Sequence, residues 1–346
     1  MRIVISSVQV PFIKGGAEVM TKGLYHALKR EGHDVEIVTA PFKFFPERYL
    51  SDLIDFWTNQ DFNSFSGYDV DCVIALQFPA YYVKHENKRL WLMHQHRAVY
   101  DAYDETSATE ELKCLKERII QTDHQELSKV RKIYTMSENI TNRLKKYNNL
   151  HSIPLYHPPL GETNFFCEEP YDYIFYPSRL ESHKRQDLLI HAMQYTKTSM
   201  KVIISGMGGQ LPRYQQLIET LGLRDKVKMI GYITEDEKFP LYARCLAVFF
   251  GPHDEDYGYV TLEAMLSQKP VITCSDSGGP LEFIIHGENG FVVDPEPQGI
   301  AEKIDWLYHN RQKAKQIGKN GLTFYKSKNI RWNHVTDRLL AKEVMF

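Results

Sequence analysis

Short, wholly apolar runs alternate with amphipathic segments along nearly all of this 346-residue chain. A strand that is apolar throughout needs cover on both faces, and helices placed between successive strands supply it in a parallel sheet. Residues 3–6, 35–39, 72–76, 90–93, 132–136 and 152–156 read as strands in the first half, and 173–176, 201–205, 227–230, 246–251 and 271–274 in the second. The intervening stretches carry helical periodicity, as in 17–30, where Val19, Leu24, Ala27 and Leu28 share a face before Gly32 ends the helix. Ser137 is placed to cap a helix over 138–146. The pattern predicts an α/β protein of two doubly wound, Rossmann-like parallel-sheet domains facing each other across a cleft. Residues 161–171 lack periodicity and read as the linker. The expected divisions are 1–164, 165–325 and a C-terminal helical segment, 326–346, packing back on the first domain.

Composition excludes several classes. A formal net charge of −2 argues against a general nucleic-acid binder. Five scattered cysteines with no Cys-x-x-Cys pair read as reduced thiols in a cytoplasmic protein. The N-terminus reads as a first strand rather than a signal peptide, and no apolar run is long enough to span a bilayer. The aromatic-rich residues 43–65 read as local core with a short helix, or as a loop that touches an acceptor or lipid.

In open parallel sheets, ligands bind beyond the carboxyl ends of the strands. Asp69 and Asp71 precede a strand, the wrong end for an Asp-x-Asp metal site. His94 and His96 follow one and are candidates for chemistry, His94 the stronger; no third ligand at matching spacing suggests a metal there. Four loops of the second half follow strands: Arg179 with Lys184, Gly206 to Gly209, Gly231-Tyr232-Ile233, and Glu255 to Glu263. In the last, Gly258 separates two glutamates eight residues apart, and a helix begins after it and stops before Pro270. A helix N-terminus formed by Tyr259, Val260, Thr261 and Leu262, a glycine loop and two cations suit a diphosphate. Carboxylates would repel phosphate, so Glu255 and Glu263 better suit hydroxyl groups, Glu263 those of a ribose. Together these features describe a nucleotide-sugar site.

The residues resemble a large family of retaining glycosyltransferases, family 4, which share the two-Rossmann-domain GT-B architecture. The resemblance rests on Gly15-Gly16-Ala17-Glu18, His94, Ser178-Arg179-Leu180 with Lys184, Gly206-Met207-Gly208, and Glu255 through Glu263 with Ala264-Met265. Lys269-Pro270-Val271-Ile272, Gly278-Gly279-Pro280 and Gly290-Phe291-Val292-Val293 complete it. It is strongest over residues 173–305. It implies that Arg179 and Lys184 bind the diphosphate and neutralise it as it leaves, that Glu263 holds the donor ribose, and that Glu255 contacts the transferred sugar. It further implies that backbone at Gly15 and Gly16 reaches the donor phosphate and that His94 lies near the reacting sugar. Many relatives have phenylalanine where this chain has Tyr257 and proline where it has Asp256, which bears on the donor sugar. The implied partners are a UDP- or GDP-linked donor and a glycan or lipid-linked acceptor, with no cofactor and no metal. Work on surface polysaccharide at the inner membrane face is the implied setting, and Lys129, Arg131, Arg143, Lys145 and Lys146 could contact anionic lipid there. A nucleotide-sugar epimerase or phosphorylase of the same architecture, or a non-catalytic nucleotide-sugar binder, are the alternatives.

Overall fold

The computed structural model describes residues 1–13 and 15–341, in two compact units. One holds Met1–His157 and the chain from Arg331 onward; the other holds Pro158–Ile330.

The first unit is built on a six-stranded parallel sheet in the order Asp34–Pro41, Arg2–Gln9, Cys72–Ala75, Lys88–Leu92, Ile133–Thr135, Ile153–Pro154. The central strands are buried on both faces, as their unbroken apolar runs require. The Gly16–Arg30 helix covers one face with Met20, Leu24, Ala27 and Leu28, and Gly32 at φ +84° releases the chain into the next strand. Ser137 caps the Glu138–Asn148 helix by accepting the Ile140 N–H. The aromatic stretch forms the Glu47–Thr58 helix, which buries Leu50, Leu53, Ile54 and Trp57, and then a small hairpin of Ser64–Phe65 and Tyr68–Asp69. Asp71 accepts the Arg2 backbone N–H at the amino edge of the sheet (2.7 Å), a structural role.

The Trp332–Leu340 helix closes the first unit. A Cβ on Gly23 would lie 2.1 Å from the Trp332 ring, so the glycine makes room for the indole. The Tyr134 hydroxyl donates to the Arg338 carbonyl (3.0 Å). Residues 342–346, the end of the expected last helix, lie outside the described residues.

The second unit has a parallel sheet in the order Val227–Met229, Lys201–Ser205, Tyr173–Pro177, Ala247–Phe249, Val271–Cys274, Gly290–Val293. Numbered within the unit, this is 3-2-1-4-5-6, the Rossmann order, and it reverses between Tyr173–Pro177 and Ala247–Phe249. The edge strand Gly290–Val293 is absent from the sequence reading, because four apolar residues show no diagnostic period.

The chain passes between units at His157 and Pro158. The segment read as a linker packs on the second unit. Phe165 stacks edge-on against Phe239, with ring centroids 4.8 Å apart, and the Glu168 N–H donates to the Ala243 carbonyl.

Candidate functional site

The strand order of the second unit opens a crevice where connections leave Tyr173–Pro177 in one direction and Ala247–Phe249 in the other. The Ser182–Lys184 turn lies on one side and the loop from Gly251 to Gly258 on the other. The Lys184 ammonium pairs with the Glu255 carboxylate, and the two side chains are only 10% and 20% exposed. The Phe250 ring lies under the ammonium, 5.6 Å from its centroid, and the Tyr176 hydroxyl donates to the Lys184 carbonyl. Two residues 71 positions apart in sequence thus meet in one pocket.

Arg185, which sequence reasoning did not single out, joins the loops. Its Nε donates to the Gly251 carbonyl (2.9 Å), Nη2 to the Pro252 carbonyl (2.8 Å), and the guanidinium forks onto both oxygens of Asp276. That fork holds the Asp276 carboxyl below the usual carboxylate range. Backbone bonds continue the join: His253 N–H to the His183 carbonyl, Glu255 N–H to Ser277, and Gly279 N–H to Glu255. The loop carrying Glu255 is therefore fixed on both sides before any ligand arrives.

The Gly206 to Gly209 loop lies against the loop carrying Arg179. A Cβ on Gly206, at φ +132°, would fall 1.9 Å from the Ser178 carbonyl oxygen, and one on Gly208 would fall 2.4 Å from that of Leu180. Only glycine permits this approach. The Arg179 guanidinium stands exposed and makes no ion pair among the described residues, so it is available to an anion. Tyr232 is exposed and Ile233 half-buried beside this loop.

The Tyr259–Leu266 helix starts at Gly258, whose φ is +87°. Thr261 and Leu262 of its first turns are buried, while Tyr259 and Val260 are half-buried. Glu263 is 7% exposed and already engaged: one oxygen accepts from Lys238 Nζ (2.8 Å), the other from the Tyr242 hydroxyl (2.6 Å). Burial acts to lower the Lys238 pKa, but Glu263 and Glu235 hold it above its ordinary value. Lys238 and Tyr242 are four apart on the Glu235–Arg244 helix, one face, a spacing that could have flagged them. Glu255 and Glu263 therefore occupy different surroundings, one at the crevice and one held from beneath.

In the first unit, Gly15 and Gly16 follow the Arg2–Gln9 strand and His94 follows Lys88–Leu92, at the same carboxyl edge. The Glu18 carboxylate accepts the Gly15 N–H (2.7 Å) at the start of the helix. His94 Nδ1–H donates to the Gln95 carbonyl (2.8 Å), which leaves Nε2 as the acceptor of the neutral ring. His96 is buried against Phe78 and Phe42, and burial, with His94 nearby, pushes its pKa down to about 4. It is core rather than site. Among the described residues, no group of three or more His, Cys, Asp or Glu could hold a metal ion. No described helix is long and apolar enough to cross a membrane.

Residues 165–324 match the family model for Glycosyl transferases group 1, so the second unit carries a domain of that class. Two curated relatives illustrate it. The mouse alpha-1,3/1,6-mannosyltransferase ALG2 is 32% identical over 107 residues, 31% of this chain and 26% of that protein. The D-rhamnosyltransferase WbpZ of Pseudomonas aeruginosa is 30% identical over 147 residues, 42% of this chain and 38% of that one. The matched stretches thus span well under half of either relative. Solved structures extend the likeness to the whole chain at the level of fold. Sucrose-phosphate synthase from Thermosynechococcus elongatus superposes with a TM-score of 0.78 at 17% identity, covering 97% of this chain and 96% of that one. Anabaena Alr3699/HepE in complex with UDP-glucose superposes at 0.73 and 18% identity, covering 98% of each. The fold is α/β, of the GT-B kind.

Proposed function

We propose that this protein is a retaining, metal-independent glycosyltransferase of family 4. It moves a sugar from a UDP- or GDP-linked donor to a hydroxyl of a glycan or lipid-linked acceptor. The observation that carries the reading is the Lys184–Glu255 pair at the switch point of the second sheet, inside the stretch that matches Glycosyl transferases group 1. The UDP-glucose named with the HepE structure, and the UDP named with another of its structures, support a nucleotide-sugar donor.

In this mechanism Arg179 and Lys184 bind the diphosphate, with the N-terminal turn of the Tyr259–Leu266 helix supplying backbone N–H groups. Breaking the sugar–phosphate bond puts positive charge on the sugar ring and negative charge on the leaving diphosphate. Lys184, already held in place by Glu255, stabilises that charge without reorganising, and Arg179 adds a second cation. Glu255 receives sugar hydroxyls; Glu263, held by Lys238 and Tyr242, presents its remaining acceptor capacity to the ribose. Gly15 and Gly16 let backbone approach the donor phosphate, and His94 lies near the reacting sugar. The acceptor attacks from the face the phosphate leaves, and the leaving phosphate takes its proton, which retains configuration. The setting is surface-polysaccharide assembly, in the cytoplasm or at the inner face of the membrane.

Incubation with UDP- and GDP-sugars, with release of nucleoside diphosphate as the readout, tests the reading. Release should persist with a chelator present and fall roughly 10²–10³-fold in Lys184→Ala while the protein stays folded in a thermal melt. Near-parental release from Lys184→Ala would sink the diphosphate assignment. An isomerised donor without acceptor would mean an epimerase; binding without release under any acceptor would mean a sensor.

A further inference from the structure

A cavity of about 450 Å³ opens in the first unit, and its walls are strongly basic. It lies where the Lys88–Leu92 and Ile133–Thr135 strands begin, at the sheet edge opposite His94 and Gly15. Six cations line it: Lys84, Lys88, Arg89, Lys129, Arg131 and Lys132, with His85 beside them. Two carboxylates, Glu86 and Glu126, oppose them, and Glu126 is paired with Lys129 at 2.6 Å. Among the lining residues cations thus outnumber carboxylates six to two, on a chain whose formal net charge is −2. Lys145 and Lys146 are exposed at the end of the Glu138–Asn148 helix. That helix runs back from the carboxyl edge, so its last turn returns to the amino edge. Arg143 does not contribute: it is buried, with Nε 3.8 Å from Asp101.

The cavity also has a fixed donor. Lys88 Nζ donates to the carbonyls of Tyr81 and Val83, both at 3.1 Å, which anchors the ammonium in the wall. An ammonium has three N–H groups. The third has no acceptor among the described residues. Burial pushes the Lys88 pKa down to about 8, with Glu126 opposing and Lys129 adding to the shift. The half-buried ammonium thus keeps one N–H for a further acceptor, which a bound anion would supply.

We propose that this cavity is a phosphate-binding site, separate from the nucleotide-sugar pocket, for a ligand bearing a phosphate ester. One carboxylate would leave most of the positive excess unbalanced, whereas phosphate offers several oxygens and more than one charge to a convergent ring of donors. The phosphate can belong to a soluble metabolite or to an anionic lipid headgroup. The inference stands on the first unit alone and does not depend on sugar transfer.

The test uses the full chain with Lys184→Ala, which removes a phosphate ligand from the second unit. Inorganic pyrophosphate is titrated calorimetrically, and co-sedimentation is measured with phosphatidylcholine vesicles with and without phosphatidylglycerol. The comparison adds Lys84→Ala and Lys132→Ala, both at exposed positions. The probe that binds should lose about tenfold in affinity on losing these two cations and should weaken as salt is raised. Pyrophosphate binding assigns a soluble ligand, and binding to phosphatidylglycerol vesicles alone assigns a lipid headgroup. If neither probe binds, or both proteins bind equally, the proposal is overturned.

Discussion

Glu263 shows what a single carboxylate needs when it is buried. Lys238 supplies the charge and Tyr242 a hydroxyl, while Glu235 takes the other side of Lys238 at 2.7 Å. Removing Lys238 leaves Glu263 enclosed with only the Tyr242 hydroxyl, and removing Glu263 leaves Lys238 with Glu235 alone. Glu263→Gln should cost about 1–3 kcal/mol in denaturant unfolding, and Lys238→Met a similar amount. The double variant should cost less than the sum by at least about 1 kcal/mol, because each single change carries the other's orphaned charge. Additive costs would show that the pair is not coupled. At this scale the sequence was legible where charged residues follow a strand end, as for Lys184 and Glu255, which it grouped and which pair in the fold. It was illegible for Arg185: nothing local in Ser182-His183-Lys184-Arg185 says which cation turns into the pocket and which staples the loops. A left-handed backbone at Arg185, φ +54°, accompanies that division, and it belongs to the folded turn.

At the level of elements, the loop after Lys201–Ser205 is shaped by its neighbour more than by its own sequence. Gly206-Met207-Gly208-Gly209 contains three glycines, and only the first two press on the backbone of Ser178 and Leu180. Gly206→Ala should push the two loops apart, lower stability by about 1–3 kcal/mol and weaken nucleotide binding. Gly209→Ala, with nothing within 4 Å of the new Cβ, should leave both nearly unchanged. Thermal melts and nucleotide titrations of the two variants check this, and equal behaviour would refute the close-approach argument. The segment from Gly161 to Tyr171 misled for a related reason. Phe165 docks it on Phe239 and Tyr242, and the Glu168 and Tyr171 N–H groups donate to the Ala243 and Arg244 carbonyls; contacts so scattered leave no period to read.

Across the whole molecule, three buried groups in the first unit bear on acid stability. Burial pushes His157 down to about 3, and burial with His94 pushes His96 down to about 4, so between there and about pH 6.5 the unfolded chain binds more protons at both. Asp123 acts the other way. Burial raises it to about 6, against hydrogen bonds from Tyr81, Tyr82 and Tyr100, so over about pH 4–6 the folded state holds an extra proton there. Stability contributed by the histidines is therefore lost as pH falls, and Asp123 partly offsets that loss. Asp123→Asn should make the decline between about pH 6 and pH 4 steeper, by up to about 1.4 kcal/mol per pH unit. Denaturant midpoints across that range measure it; slopes that match the parent would mean Asp123 does not titrate there.

The sequence alone determined most of the strands and helices and which loops follow strand ends, because periods of two and 3.6 and turn residues act over a few positions. It also pointed to the family of the second unit, whose motif spacing is local. Only the tertiary structure decided the strand order that opens the crevice, the partners of Glu263, and the basic cavity at the far edge of the first sheet. It supplied too the contact by which the last described helix, expected from the sequence to pack back on the first domain, completes that unit: Trp332 against Gly23. Each depends on contacts between residues far apart in the chain, and such contacts leave no local period.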